Sequence, residues 1–100
     1  MQNDNIKKLI SYLDLPNNDY WYDEASCIAR DIIDSNLNII LETLLNQWEN
    51  WSAERQEHLA YILGESDSKL EIKLLKAMSK SKDSDVVYRA KEALQNYKNT

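Results

Sequence analysis

Apolar residues along this chain recur at helical spacing, and the pattern itself returns about once per helical hairpin. In what should be the second helix of each hairpin, a trio of small or aliphatic residues returns after 34 residues and again after 31. The trios are Ala25, Ile28 and Ala29; Leu59, Ile62 and Leu63; and Ala90, Ala93 and Leu94. A fixed period in this range is typical of helical repeat arrays, which present an extended surface to a partner.

The first helix of each hairpin repeats its apolar stripe as well. The equivalent residues are Ile6, Leu9, Ile10 and Leu13; Leu37, Ile40, Leu41 and Leu44; and Leu70, Leu74 and Ala77. The connections between stripes are short, and short connections force successive helices to pack antiparallel. The pattern therefore predicts three antiparallel helical hairpins stacked as a short α-solenoid.

Local signals place the helix ends. The predicted helices cover residues 5–13, 20–34, 36–48, 53–63, 69–79 and 84–97, and residues 98–100 should fray. The predicted N-caps are Asp4, Ser35 or Asn36, Ser52, Ser68 and Asp83 or Ser84. Ser68 and Glu71 have the spacing of a capping box, and Gly64 is expected to end the fourth helix in a left-handed conformation.

Composition agrees with one all-α domain over residues 1–100. The chain is 43% hydrophobic and 29% charged, with one glycine, one proline and no phenylalanine. It has no apolar run of the roughly 18 residues that a membrane span needs, and its N-terminus does not resemble a secretory leader. A single cysteine cannot form an internal disulfide, which favours a reducing compartment. We expect a cytoplasmic monomer.

Charge is unevenly distributed along the chain. Residues 1–68 hold four bases against thirteen acids, whereas residues 69–100 hold eight bases against four acids, and the net charge is −5. An acidic surface repels nucleic acid and attracts a basic protein. We therefore expect a protein partner, with neither nucleic acid nor membrane.

The segment 83–94 carries a short acidic turn followed by two valines and two alanines at helical spacing. Its informative residues are Asp85, Val86, Val87, Ala90, Ala93 and Leu94. This segment resembles the second helix of a HEAT-type repeat. The resemblance extends over about 69–97, weakens over 36–64, where Arg55 and Gln56 replace the valine pair, and is weakest over 5–34. It implies a HEAT-like fold and no activity.

Small size, acidity, segments rich in tryptophan and tyrosine, and the stretch from Trp51 to Gly64 support a narrower resemblance. The chain resembles the immunity proteins encoded beside bacterial toxins, including those of contact-dependent growth inhibition systems. The resemblance implies a stoichiometric inhibitor that occludes the active site of a toxic enzyme. A nuclease fits best, because the substrate site of a nuclease is basic.

The repeat register predicts which residues face away from the core on the second helices. Asp23, Glu57 and Tyr88 are equivalent, as are Cys27, Tyr61 and Glu92 one turn later. We predict partner contacts at Tyr20, Trp21, Asp23, Glu24, Cys27, Asp31, Glu54, Glu57, His58, Tyr61, Tyr88 and Glu92. Acids would steer a basic partner and aromatic rings would supply binding energy. The alternative is that these residues are the solvated side of amphipathic helices.

Aromatic residues have both structural and binding interpretations. Tyr20, Trp21 and Tyr22 are consecutive, so one helix face cannot bury all three. At least one should be exposed, or the group should cover the end of the first hairpin. Trp48 continues an apolar stripe and Trp51 precedes the fourth helix, so both are predicted to pack structurally.

No residue pattern predicts catalysis. His58 has no second histidine and no cysteine at ligand spacing, so we expect neither a metal nor a cofactor. Cys27 has no histidine nearby in sequence and is predicted to be a buried or half-buried thiol rather than a nucleophile. Pairs such as Asp31 and Asp34 are common on surface helices. We expect a binding protein, not an enzyme.

Two other functions remain open at this point. One is an adaptor or scaffold that binds another protein without inhibiting it. The other is a nucleic-acid-binding helical repeat that uses a basic stripe of Lys69, Lys73, Lys76, Lys80 and Arg89.

Overall fold

The computed structural model describes residues 2–97, and in that part of the chain helices joined by short turns are present and no strand. Its α-helices are α1 (Gln2–Leu13), α2 (Ser26–Ser35), α3 (Leu37–Gln47), α4 (Ala53–Ile62), α5 (Lys69–Met78) and α6 (Ser84–Leu94). Two 3₁₀ turns, Trp48–Asn50 and Gln95–Tyr97, follow α3 and α6. The all-α prediction is confirmed, and the expected fraying of residues 98–100 lies outside the described residues.

Three of the predicted N-caps form. The Ser52 hydroxyl accepts a hydrogen bond from the Arg55 amide, and the Ser68 hydroxyl accepts one from the amide of Leu70. The Asp83 carboxylate accepts from two amides at the start of α6. Each bond satisfies a backbone donor that the first helical turn leaves without a partner.

The other cap predictions need correction. Asn36 precedes α3 but its side chain makes no capping hydrogen bond. Asp4 lies inside the first turn of α1, because this helix already begins at Gln2. Glu71 does not complete a capping box with Ser68, because its carboxylate is buried and bonded elsewhere. The spacing of Ser68 and Glu71 along the chain fits a capping box, but Arg30, which is distant in sequence, binds the Glu71 carboxylate instead.

Gly64 ends the α4 segment with a φ of +100°, as predicted for a left-handed residue. The position also needs a residue without a side chain. A Cβ built there would lie 3.0 Å from the Cβ of Ala93 and 3.2 Å from its carbonyl oxygen. The chain therefore turns tightly against α6 after α4.

A π-helical segment, Trp21–Ala25, leads directly into α2. Its wider turn changes the angular spacing of the aromatic residues that precede α2. Trp21 is fully buried, Tyr22 is half-buried and Tyr20 keeps 49% of its surface. The prediction that at least one of the three is exposed is confirmed.

One apolar core runs through all six helices. Its fully buried members include Leu9, Leu13, Trp21, Ile33, Ile40, Leu41, Leu44, Leu59, Leu74, Leu75 and Met78. Trp48 belongs to this core, and Trp51 packs partly against it, as the sequence predicted. Ile28 is only half-buried, although the repeat register assigned it to the core.

Helix α4 contacts most of the other helices. It packs against α1, α2 and α6. Helix α2 also packs against α1 and α3, and α5 packs against α3 and α6. Because α4 touches both α2 and α6, exposed residues of these three helices can share one face of the molecule.

Candidate protein-binding surface

Aromatic rings join α4 to the segment that leads into α2. The Tyr61 ring on α4 and the Tyr22 ring pack edge to face, with centroids 5.1 Å apart and planes at 80°. Its centroid also lies 5.5 Å from that of Trp21. Edge-to-face pairs of this kind place the positive rim of one ring against the negative face of another. Tyr61 stays 40% exposed, so the cluster reaches the surface.

Two predicted partner contacts lie beneath this cluster. Trp21 is fully buried, and its Nε1 donates a hydrogen bond of 2.9 Å to the Tyr12 carbonyl. His58 is buried and stacks on Trp21, with centroids 3.8 Å apart. Its Nδ1 lies 2.8 Å from the Leu13 carbonyl oxygen and therefore donates to it. Neither side chain presents surface to a partner, so the assignment of Trp21 and His58 to direct contacts is corrected.

Arg89 of α6 links α6 to α4. Its Nε lies 3.3 Å from a carboxylate oxygen of Glu57, and its guanidinium lies 5.3 Å from the Tyr61 ring centroid. Burial is the largest single effect on Arg89 and lowers its pKa, but the hydrogen bond to Glu57 and the Coulombic interactions with nearby groups, Glu57 and Glu92 among them, together raise the pKa above the ordinary value. Glu92 lies 3.8 Å from the same guanidinium and accepts a hydrogen bond from the Tyr88 hydroxyl. Glu57 and Glu92 are therefore partly neutralised by Arg89, which sequence reasoning had assigned to a basic stripe.

Other predicted acids remain without a base. Asp23, Glu24, Asp31 and Glu54 are exposed and form no ion pair within residues 2–97. The first three lie on or just before α2, and of these Asp31 lines the same depression as Tyr22 and Tyr61. Glu54 borders a separate depression near Asp14. The surface that combines unpaired acids with exposed rings is thus centred on α2 and α4.

A depression of about 460 Å³ opens between α2 and α4, and we call it the α2–α4 cavity. Its lining includes Tyr22, Cys27, Asp31, Asp34, Tyr61 and Glu65. Cys27 is exposed, contrary to the predicted buried or half-buried thiol. Cys27 and Tyr61, which the repeat register predicted to lie on one surface, both line this cavity, and Glu92, the third residue of that set, does not.

A buried ion pair lies beside the cavity, and sequence reasoning missed it. Arg30 donates to both carboxylate oxygens of Glu71, at 2.7 and 3.0 Å. Glu71 is fully buried and also accepts from the amides of Gly64 and Glu65 and from the Ser66 hydroxyl. The one available signal was that Arg30 is the only base between Lys8 and Arg55.

The hydrogen bonds set the protonation of this pair. Burial alone would raise the pKa of Glu71, but the bonds from Arg30, Ser66 and two backbone amides hold it below its ordinary value. Burial would likewise lower the pKa of Arg30, and its bonds to Glu71 and Asp34 raise it instead. Both groups are therefore charged at neutral pH.

The lysines of α5, together with Lys80 just after it, form a different surface. Lys69, Lys73, Lys76 and Lys80 are all exposed and have no carboxylate partner within the described part of the chain. Arg89 does not extend this stripe, because it is bonded to Glu57. Among residues 2–97, no three His, Cys, Asp or Glu side chains are arranged to hold a metal ion, and no helix has the length and apolar character to cross a bilayer.

Comparison with known proteins adds no further assignment, because no protein family, curated protein or solved structure matches the chain. Functional inference therefore depends on the geometry of these surfaces.

Proposed function

We propose that the six helices form a short HEAT-like stack. In this arrangement α1, α3 and α5 form one layer and α2, α4 and α6 the other. The packing of α1 on α3, α3 on α5, α2 on α4 and α4 on α6 supports it. The packing of α1 on α2 and of α5 on α6 supports antiparallel hairpins at the two ends. The layer of α2, α4 and α6 would then present the candidate surface.

We propose that the protein is an immunity protein of a bacterial toxin system, of the contact-dependent growth inhibition type. It would act as a cytoplasmic monomer that binds a basic toxin domain, most suitably a nuclease, and occludes its active site. The observation that carries this proposal is the exposed surface of α2 and α4, where unpaired Asp23, Glu24 and Asp31 accompany exposed Tyr20 and Tyr61.

The chemistry of this surface suits a basic protein. Unpaired carboxylates raise the rate of encounter with a cationic partner, and salt screens the effect. Tyrosines bury a large apolar area on binding while their hydroxyls stay hydrogen-bonded. Tyr88, 60% exposed on α6, would extend the contact beyond α4.

The direct test uses the purified toxin domain encoded by the neighbouring gene. We expect one equivalent of the protein to abolish the toxin's enzymatic activity, and we expect Asp23→Lys with Asp31→Lys to slow association at low salt. A loss of about tenfold or more in the association rate is expected for charges that steer encounter. The matched control is Glu42→Lys with Glu49→Lys, which changes net charge equally at exposed positions on α3 and the turn after it.

The outcomes separate the functions that we considered. A neighbouring gene that encodes no toxin, or a toxin whose activity is unchanged by excess protein, would contradict the immunity proposal. Tight binding without inhibition would indicate an adaptor. Equal losses in the test and control variants would place the interface elsewhere.

The exposed α5 lysines favour one second candidate, a nucleic-acid-binding protein. This function predicts binding of DNA or RNA that weakens steeply with salt, because phosphate contacts release counterions. Lys73→Gln with Lys76→Gln should then reduce both the affinity and the salt dependence. No binding of an RNA or DNA duplex at low salt would remove this candidate.

A further inference from the structure

The α2–α4 cavity has an excess of negative charge. Asp31, Asp34 and Glu65 line it, against the single base Arg30. Arg30 is already bonded to the buried Glu71 and to Asp34, so its charge is compensated within the protein. Asp31 and Glu65 have no cationic partner within residues 2–97. The cavity therefore favours a cation and disfavours an anion.

Its aromatic walls favour a planar cation. Tyr22 and Tyr61 line the cavity and pack edge to face. Tyr61 also borders the neighbouring depression, where the Arg89 guanidinium lies 5.3 Å from its ring centroid. The contact between Arg89 and Tyr61 shows that this tyrosine ring already packs against one guanidinium within the protein. Arginine combines such stacking with two-pronged hydrogen bonding to carboxylates, which a lysine ammonium cannot reproduce.

We propose that the α2–α4 cavity is the receptor for one arginine side chain of the basic partner. The guanidinium would lie against Tyr61 and Tyr22 and donate to Asp31 and Glu65. Its volume of about 460 Å³ admits a long side chain with accompanying water. This inference rests on the proposed function, since it names the anchor by which that partner would be held.

Cys27 provides a test that needs no partner. It is exposed, lines the cavity and is the only cysteine of the chain. The rate at which Cys27 is modified would be measured with a cationic reagent, trimethylammonium-ethyl methanethiosulfonate, and with its anionic sulfonatoethyl analogue. Each rate would be divided by the rate at which the same reagent modifies the free thiol β-mercaptoethanol, which removes the difference in intrinsic reactivity. We expect the normalised cationic rate to exceed the anionic one by about tenfold or more at low ionic strength. Salt should reduce this ratio.

A ligand competition then identifies the cation. N-acetylarginine amide should slow the modification of Cys27 in a saturable manner, and N-acetyl-lysine amide should do so more weakly. N-acetylcitrulline amide, which has nearly the same shape without the charge, should not protect. Equal normalised rates for the two reagents, or equal protection by citrulline and arginine, would overturn the proposal. Equal protection by lysine would show a cation site without the proposed arginine preference.

Variants test which residues hold the cation. Asp31→Asn with Glu65→Gln should bring the ratio of the normalised cationic rate to the normalised anionic rate close to one, the value for β-mercaptoethanol. Tyr61→Leu should weaken protection by arginine while leaving the charge preference. The control, Glu42→Gln with Glu49→Gln, removes the same charge from exposed positions that do not line the cavity and should change neither readout.

The partner experiment distinguishes this inference from the proposed function. If the toxin is inhibited by the unaltered protein and equally by Asp31→Asn with Glu65→Gln, the arginine receptor is wrong and the immunity function stands. If acetylarginine amide protects Cys27 but no toxin is inhibited, the cavity binds arginine and the immunity function is wrong.

Discussion

At the scale of single residues, the Arg30–Glu71 pair is the feature with the largest expected energetic consequence. Both Glu71 oxygens accept from Arg30, and Arg30 also donates to the Ile62 carbonyl and to Asp34. No buried side-chain nitrogen or oxygen in the described part of the chain lacks a hydrogen-bond partner. A buried charge that keeps all its partners is tolerated, whereas one that loses its partner is costly.

Replacing one member of the pair should therefore destabilise the fold strongly. We expect Glu71→Leu to lower the free energy of unfolding by about 3–5 kcal/mol, because Arg30 loses its buried carboxylate partner and keeps only the exposed Asp34. Equilibrium urea unfolding measures this change. Adding Arg30→Met to Glu71→Leu should recover a large part of the loss.

The exposed Arg55–Asp14 pair provides the control for this prediction. Its contacts are also short, 2.8 Å for each of two hydrogen bonds, but the Asp14 side chain is 45% exposed, whereas that of Glu71 is fully buried. Asp14→Ala should cost less than about 1 kcal/mol, since solvent screens the pair. Similar losses for Glu71→Leu and Asp14→Ala would show that burial of the Arg30–Glu71 pair has been misjudged.

The Arg30–Glu71 pair also predicts how the free energy of unfolding depends on pH. The pKa of Glu71 is lower in the folded protein than its ordinary value of 4.5. Its contribution to stability is therefore complete above that value and is lost as the pH falls through the folded pKa. Unfolding measured over a series of acidic pH values should show a smaller loss of stability for Glu71→Leu than for the unaltered protein. Parallel pH profiles would contradict this assignment.

At the scale of elements, α6 and the turn at Gly64 depend on each other. Ala93 is almost buried and faces Gly64, and the Asn96 side chain donates to the Gly64 carbonyl. Small residues on both sides let the end of α4 approach α6 closely. This contact fixes the rotation of α6, because any other helix face would bring a larger side chain against the turn.

This packing predicts a clear difference between Ala93 on α6 and Gln95, the first residue of the 3₁₀ turn that follows it. Ala93→Asp should lower the free energy of unfolding by several kcal/mol, because it places a carboxylate without a partner against Gly64. Gln95→Asp introduces the same group two residues later at an exposed position and should have little effect. Thermal and urea unfolding measure both. A native transition for Ala93→Asp would show that the rotation of α6 is wrong.

At the scale of the whole molecule, long-range contacts connect the two halves of the chain. Arg30 of α2, in the first half, binds Glu71 of α5, in the second half. Repeat arrays whose units contact only their neighbours can unfold in parts. Here a buried ion pair joins α2 to α5 directly, so the molecule should unfold as one unit.

Two probes test this cooperativity. All three tryptophans, Trp21, Trp48 and Trp51, lie within residues 21–51, so their fluorescence reports unfolding of the part of the chain that precedes α4. Far-UV circular dichroism reports all six helices. We expect the two urea transitions to coincide in the unaltered protein. In Glu71→Leu the connection is lost, and the transitions should separate. Separate transitions in the unaltered protein would contradict direct coupling between the halves.

The sequence by itself determined the elements of this protein. Helical periodicity located all six helices, and cap chemistry located Ser52, Ser68, Asp83 and Gly64, because these signals act within a few residues of each other. It also indicated that α2 and α4 bring Cys27 and Tyr61 to one place.

Only the tertiary structure decided which polar residues meet across helices. Glu71 binds Arg30 instead of forming a capping box, and Arg89 forms an ion pair with Glu57. Trp21 and His58 stack on each other inside the molecule. Each of these outcomes depends on a partner 32 to 41 residues away along the chain. Local periodicity contains no information about such distances, since hydrogen bonding and burial are settled only when the helices pack.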